Sequence, residues 1–441
     1  MADEGGPSVG GQFRQFLALE RDVLVLSIAM FAFSLGFQMT GRYMPRYLDV
    51  LGAGAVAIGA YKSLGDLISA VYPYPGGAIS DRIGTRRALT LFGVASTAGF
   101  VLWLLAARVP TLRVGPLVVP TWVWVFPGLF LVQAWKSFGL GATFALVKQS
   151  VPRTELATGF ATTETVRRVA FLAGPLAAAV LLARGEFRSG FLAVLAVSAG
   201  VAALGTVAQH YLYDPGGDTV GSSFEGVAGV VADLRSMPPQ LPPLLAGDAL
   251  VRWANGMVYA FFVLVVTDLR SVGFSFGGVA VGGASVGALS LNPDAYFGVL
   301  LAVEMAVALA TMVPSAKLAR RVGLKPVVAL GFLVYGGFPA LLIGAPADQW
   351  AFAGLFALSG LRFAGLPAHK ALIVGPAERD AGGRVTGSYY LLRNAVTVPA
   401  GVVGGVLYAV SPELSFWTAS VVGIVGVAVF LAFGEELDAY D

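Results

Sequence analysis

Apolar runs of about 20 residues recur along the whole chain, and this constrains the fold more than any other feature. A helix rising 1.5 Å per residue needs about that length to cross roughly 30 Å of hydrocarbon. The limits are 23–43, 55–74, 88–107, 121–147, 156–183, 189–209, 243–266, 293–315, 326–345, 350–374, 384–409 and 414–434. They predict an all-α membrane protein of twelve transmembrane helices. The runs are too long for barrel strands and do not alternate with period two, so strands are not expected. Of 441 residues, 56% are hydrophobic and 12% charged. A soluble domain is about a quarter charged, so too few polar residues remain here to cover a water-facing surface.

Composition also narrows the chemistry. The net charge is only +3, and no nucleic-acid partner is expected. Cysteine is absent, which removes disulfides and thiolate metal or nucleophile sites. His210 and His369 are too few for a His-rich metal site, so neither metal nor cofactor is expected. Residues 1–22 are polar and mixed in charge, and the first apolar run is long enough to span, so no signal peptide is read there.

Loop charges suggest an orientation. Arg82, Arg86 and Arg87 follow the second run, Lys148 and Arg153 the fourth, Arg320, Arg321 and Lys325 the eighth, and Arg379 the tenth. All lie on one side. The opposite side holds Arg46, Arg108, Arg113, Arg184, Arg188 and Arg270, so the bias is moderate. It favours a multi-pass protein of the cell membrane with both termini cytoplasmic. The expected organisation is a cytoplasmic tail, 1–22; a six-helix bundle, 23–209; a cytoplasmic linker, 210–242; a second six-helix bundle, 243–434; and an acidic tail, 435–441. The linker holds Asp214, Asp218, Glu225 and Asp233, and a short surface helix is expected near Gly226–Leu234.

The two bundles are related in sequence. Gly128-Leu129-Phe130 matches Gly354-Leu355-Phe356 at a shift of 226, and Lys136 then meets Arg362. At a shift of 239, Gly59 meets Gly298, Pro75 meets Pro314, Arg82 meets Arg321 and Gly84 meets Gly323. The first pair of helices aligns at a smaller shift, so extra residues precede the eighth run. The Gly/Ser-rich stretch 273–292 is their natural place, and a partly structured outer loop is expected there. Parallel six-helix repeats are one way transporters build a central pathway.

The loop after the second run reads Gly77-Ala78-Ile79-Ser80-Asp81-Arg82-Ile83-Gly84-Thr85-Arg86-Arg87. It resembles the signature loop of the major facilitator superfamily, Gly-x-x-x-Asp-Arg-x-Gly followed by basic residues. The resemblance covers the whole chain in architecture and is specific at this loop. It implies two pseudo-symmetric six-helix bundles and a gating latch of Gly77, Asp81, Arg82, Gly84, Arg86 and Arg87. Asp81 would pair with cations or helix N-termini, and Gly84 would permit a tight turn. The second-half copy, Lys317-Leu318-Ala319-Arg320-Arg321-Val322-Gly323, has Arg320 in place of the acid. The latch is therefore expected to be asymmetric. Two positions depart from the family pattern. Lys136 lies three residues before Gly139 where an Arg four before is common, and Gly174-Pro175 is followed by Leu176-Ala177-Ala178-Ala179 rather than by glycines.

Charges inside the runs are the most informative functional feature, because a charge in hydrocarbon costs on the order of 3 kcal/mol. The third, sixth, ninth and twelfth runs have none and are expected to be outer supports. The others carry Lys62, Asp66, Lys136, Glu164, Arg167, Arg168, Asp248, Arg252, Glu304, Arg362 and Arg393. Lys62 with Asp66, Glu164 with Arg168, and Asp248 with Arg252 stand one helix turn apart and can pair. Seven cations against four acids leave a positive excess. Lys136, Arg362, Arg252, Arg393 and Asn394 are the candidate solute-binding residues. Lys136 and Arg362 either face a central cavity and attract an anion, or pair with acids on other helices such as Glu304 or Glu164. Glu304, Asp66 and Glu164 are the candidates for proton coupling, Glu304 first because its own helix offers no cation within a turn. Arg42 and Arg46 read as interfacial snorkellers, and His369 and Lys370 as surface or gate residues. Pro399 with Gly401, and Pro175 with Gly174, read as bend points.

The expected function is secondary active, proton-coupled transport of a small solute, an organic anion, by a monomer working through alternating access in the lipid bilayer. No phosphate-binding loop of the Gly-x-x-x-x-Gly-Lys-Ser/Thr kind is present. An efflux antiporter for amphipathic drugs is the alternative within this class, and a non-transporting sensor or scaffold is the alternative outside it. An enzyme would need a polar catalytic cluster near one interface, and none is read.

Overall fold

The computed structural model describes residues 21–139, 156–213, 237–277, 279–281, 284–286, 288–376 and 382–436. The linker residues 214–236, with the surface helix expected in them, lie outside these, as do Lys148, Arg153, Arg379 and the tails 1–20 and 437–441.

Eight helices among the described residues are long and apolar enough to cross a membrane: Thr85–Ala106, Phe187–Leu212, Leu241–Leu269, Pro293–Val322, Leu324–Gly344, Gln349–Ile373, Gly387–Val410 and Pro412–Phe433. Helix also lies on the other four predicted runs. These helices are α1 (Arg21–Thr40), α3 (Ala55–Val71), α6 (Val125–Ala134) and α7 (Leu156–Leu182). Lipid offers the backbone no hydrogen-bond partner, so each crossing segment satisfies its own N–H and C=O groups within a helix. Outward-facing Val94, Leu204, Leu333 and Val421 are exposed on the four runs that carry no internal charge, as supports in hydrocarbon require.

Local chemistry fixes the helix ends. α2 (Met44–Val50) opens with proline in its first turn, as do α4 (Pro73–Ile83), α9 (Leu241–Val258) and α10 (Pro293–Val322). The amide that proline lacks is unpaired there in any case. Asn292 caps α10 through the Ala295 amide. Asp348 caps α12 (Gln349–Gly360), and Ser411 caps α16 (Pro412–Phe433). α5 (Thr85–Ala106) and α11 (Leu324–Gly344) each begin right after a glycine with positive φ.

Three expectations change. The run 55–74 is not one helix. α3 ends at Val71 and α4 starts at Pro73, because proline cannot extend the hydrogen-bond ladder before it. The bend at Pro399 is a break between α14 (Gly382–Thr397) and α15 (Ala400–Val410), whereas α7 runs through Pro175 without interruption. Strands do occur, in loops only. β1 (Leu112–Val114) pairs with β2 (Leu117–Val119), β3 (Phe274–Phe276) with β6 (Leu289–Leu291), and β4 (Val279–Val281) with β5 (Ala284–Val286), all antiparallel. The extra residues before α10 are thus spent on a β-hairpin.

The chain divides into two compact units. The first holds Met1–Gly41, Val71–Gly174 and Leu192–Phe224, and the second holds Arg42–Ala70, Pro175–Phe191 and Glu225–Asp441. Within the first, α6 continues as a π-helical turn, Trp135–Gly139. The Trp135 ring stacks on Phe33 at 4.2 Å, and its amide donates to Ser96 Oγ at 2.9 Å. α8 (Phe187–Leu212) ends beside the signature loop, where Arg86 Nε donates to the His210 carbonyl at 2.7 Å. Within the second unit, α9, α11, α13 (Leu366–Val374), α14 and α16 share a core that includes Val251, Phe332, Tyr335, Leu372, Tyr389 and Phe430.

Candidate functional site

The three charged clusters described first all belong to the second unit. Asp248 is fully buried on α9 and is approached by polar side chains of three helices. One turn on, Arg252 Nε donates to Oδ1 at 3.2 Å. From α14, Arg393 Nη1 donates to Oδ2 at 3.3 Å and the Tyr389 hydroxyl at 3.2 Å. From α13, His369 Nε2 lies 3.4 Å from Oδ2 without a hydrogen bond. A buried carboxylate needs such partners, since an unpaired one would be prohibitively desolvated.

The same two arginines face a cavity of about 160 Å³ lined by Lys62, Asp66, Ser69, Arg252, Asn255, Arg393, Asn394 and Thr397, with the backbone of Gly256. Lys62 is hydrogen-bonded to Asp66, one turn away on α3. Asn394 Oδ1 accepts from Arg393 Nε and Nη2 at 3.2 and 3.0 Å and so orients the guanidinium. Arg252 Nη1 donates to Tyr335 Oη at 3.0 Å. Lys62, Arg252 and Arg393 against Asp66 and Asp248 leave one positive charge at this cavity.

A second ionic cluster is sealed from solvent. Glu304 on α10 accepts a hydrogen bond from Arg362 Nη2, and both side chains are almost wholly buried. Arg42 Nη2 lies 3.6 Å from the other carboxylate oxygen, and its guanidinium covers the Tyr259 ring at 4.0 Å. A third cluster centres on Arg46, which meets Asp49 at 3.2 Å, Asp268 at 2.5 Å and Asp294 at 3.5 Å. The Tyr43 hydroxyl donates to the Asp294 carbonyl at 3.0 Å. Arg42 and Arg46 therefore do not snorkel. Glu304 gives Arg42 a partner inside the protein, and Asp49, Asp268 and Asp294 give Arg46 three.

Of the candidate solute-binding residues, Arg252, Arg393 and Asn394 come together at the cavity. Arg362 is buried against Glu304, the pairing named above as the alternative to a cavity-facing role. Lys136, in the first unit, is exposed on the π-helical turn. Among the proton candidates, Asp66 lines the cavity and Glu304 lies in the sealed cluster, while the side chain of Glu164 is outside those described. In the signature loop, Gly84 turns the chain, Arg86 reaches the end of α8, and Arg82 and Arg87 are exposed. The surroundings of Gly77 and the side chain of Asp81 are not among those described. His369 is buried at 3% exposure rather than at the surface, while Lys370 is exposed. A histidine seven residues past Arg362, two helical turns along the same run, was the available signal for it. Nothing in sequence spacing foretold that Arg46 would meet Asp268 and Asp294, which are more than 200 residues away.

No protein-family model matches the chain. An uncharacterized MFS-type transporter of Methanocaldococcus jannaschii is 20% identical over 420 residues, covering 94% of this chain and 95% of that protein. The fold is similar to the crystal structure of the nucleoside transporter NupG, with TM-score 0.71 and 13% identity over 93% of this chain and all of that one. It is also similar to a POT family transporter in complex with 5-aminolevulinic acid, with TM-score 0.70 and 14% identity over 95% and 99%.

Proposed function

We propose that the chain is a membrane transporter of the major facilitator superfamily and that it carries a small anionic or carboxylate-bearing solute, coupled to protons, by alternating access. The observation that carries this reading is the cavity where Arg252 and Arg393 share one buried acid, Asp248, and Lys62 adds a third cation. Two guanidiniums neutralised by one carboxylate attract an anion, and a planar fork suits a carboxylate or phosphate. Asn255, Asn394, Ser69 and Thr397 supply neutral hydrogen bonds to the rest of the solute.

The cavity also weighs against the drug-efflux alternative. Drug-sized ligands occupy pockets of roughly 300–1,000 Å³ lined mostly by apolar groups, whereas this one is smaller and charged. The complex of the POT family neighbour with 5-aminolevulinic acid, a small amino acid with a free carboxylate, supports the same solute class. In this reading the signature loop acts as a gate, the chain works as a monomer in the cell membrane with cytoplasmic termini, and two six-helix halves alternate around the solute. Of the acids the sequence offers for proton coupling, Asp66 lines the cavity, whereas Glu304 is held by Arg362 in the sealed cluster and does not.

Thermal-shift screening of purified protein against carboxylates, phosphates, sugars, nucleosides and amphipathic cations tests the solute class, since a bound ligand stabilises by mass action. Anions are expected to raise the melting temperature of the wild type but not of Arg252→Gln or Arg393→Gln. Stabilisation by neutral or cationic compounds that survives both substitutions would overturn the anion reading.

A further inference from the structure

His369 makes no hydrogen bond through Nε2 although it is almost completely buried and stands 3.4 Å from the Asp248 carboxylate. Its ring packs edge-on against Phe332 of α11 at 5.5 Å and Tyr389 of α14 at 6.2 Å, so the nitrogen has no water to turn to. The titratable and charged groups that face it are Asp248 and Arg252 from α9 and Arg393 and Tyr389 from α14. Phe332 brings none from α11. Imidazole is the side chain whose ordinary titration falls between pH 5 and 8. A nitrogen placed at ion-pair distance from a carboxylate, but not bonded to it, is poised to gain a proton and close the gap.

Charge counting says when it does so. Arg252, Arg393 and Asp248 together carry +1. A proton on His369 makes the cluster +2 inside a low-dielectric helix bundle, which is costly unless an anion enters the cavity that the two arginines face. An anion at Arg252 and Arg393 restores +1 and draws Arg393 away from Asp248, leaving that carboxylate to the imidazolium. Each event lowers the cost of the other, and such coupling is reciprocal by linkage.

Resting on the proposed anion site, we propose that His369 is the proton-holding residue of this transporter, taking up one proton on Nε2 when an anion binds at Arg252 and Arg393 and releasing it when the anion leaves. Asp248 is the shared counter-ion that makes the exchange possible. Glu304, by contrast, is held by Arg362 and faced by Arg42 in the sealed cluster and takes no part in it.

Sulfate is a suitable probe because its charge is constant between pH 5 and 8. Sulfate affinity of the detergent-purified full chain is measured across that range for the wild type, His369→Gln, His369→Asn and Glu304→Gln, with proton uptake on binding read in weak buffer. The wild type is expected to bind at least tenfold more tightly at pH 5 than at pH 8 and to take up a proton. Glu304→Gln should keep this profile, and either His369 variant should bind sulfate with a flat one. A pH profile that persists in a folded His369 variant, or wild-type binding with no proton uptake, overturns the proposal; the uptake measurement needs no variant to fold. Absence of sulfate binding by the wild type at every pH instead overturns the anion site itself, and with it this inference.

Discussion

Gly84 and Gly323, 239 residues apart in sequence, hold the same backbone turn, with φ/ψ of 84°/149° and 92°/165°. Each ends one helix and starts the next, α4 to α5 and α10 to α11. This region is essentially closed to residues with a Cβ, at a cost of about 1–3 kcal/mol. A Cβ on Gly323 would also press on the Glu436 carboxylate, which accepts from the Leu324 and Lys325 amides and so caps α11. Gly323→Ala is therefore expected to lower stability by about 1–3 kcal/mol. Gly354→Ala, at an open position inside α12, should raise it by about 0.5–1 kcal/mol. Melting curves in one detergent would show shifts of opposite sign, and shifts in the same direction would contradict this account.

The Glu304–Arg362 pair predicts strong non-additivity. Removing one partner of a buried ion pair costs about 3–5 kcal/mol, because the other charge is left uncompensated. Arg362→Met and Glu304→Gln should each destabilise on that scale, whereas the double variant should lose at least about 1 kcal/mol less than the sum. Arg42→Ala should cost less than either. It stands 3.6 Å from Glu304 without a hydrogen bond, and what it gives up is mainly its contact with Tyr259. Unfolding in mixed micelles, run as a double-mutant cycle, measures all three.

The fold was legible in the sequence because its strongest signal is one-dimensional. A run such as 326–345 needs no tertiary information to be read as a crossing helix, and α11 covers it from Leu324 to Gly344. The pairs Lys62–Asp66 and Asp248–Arg252 were legible for the same reason, since they lie four residues apart on one helix face. What could not be read were contacts set by packing between helices. Asp248 was visible as a partner of Arg252 but not as the hub that also gathers Arg393, Tyr389 and His369. Arg46 reads as interfacial because two of its three acids come from residues 268 and 294, at the end of one helix and the start of another. The stretch 273–292 was legible as a partly structured loop, but its strands were not, because they are short and sit in a Gly/Ser-rich segment that has no clear period.

Close approach of α3 and α15 gives a third prediction. A Cβ on Gly401 would stand 2.6 Å from the Gly59 carbonyl oxygen and 2.8 Å from Ser63 Oγ, and a Cβ on Gly59 would overlap the Gly401 carbonyl. The obstacles are largely backbone, so the helices must separate to admit a methyl group. The break at Pro399 leaves the Val402 amide free to donate to Ser63 Oγ at 3.0 Å, which ties the helices at the same level. Gly401→Ala should cost about 1–3 kcal/mol through overpacking. Ser63→Ala should cost about 1 kcal/mol, the net worth of one buried hydrogen bond. A Gly401→Ala protein that melts at the wild-type temperature would show that the two helices are not held this tightly.

The hairpin before α10 is clasped to the start of α12 by a side chain that imitates a strand. Gln349 Oε1 accepts from the Ser275 amide at 2.7 Å, and its Nε2 donates to the Ser275 carbonyl at 3.0 Å, the same pair of bonds that a neighbouring strand would make. Phe274 lies on Tyr296 and meets Trp350 edge-on, each at 5.6 Å, and the Tyr296 hydroxyl donates to the Gln349 carbonyl. Only the first two bonds depend on the glutamine side chain. At about 0.5–1.5 kcal/mol each, their loss in Gln349→Ala should raise the local opening of β3 and β6 by roughly tenfold. The aromatic contacts should keep the hairpin in place. Hydrogen exchange read by mass spectrometry should therefore speed up in peptides covering 274–291 and stay unchanged in the crossing helices. Unaltered exchange in the hairpin would mean that the aromatic contacts alone hold it.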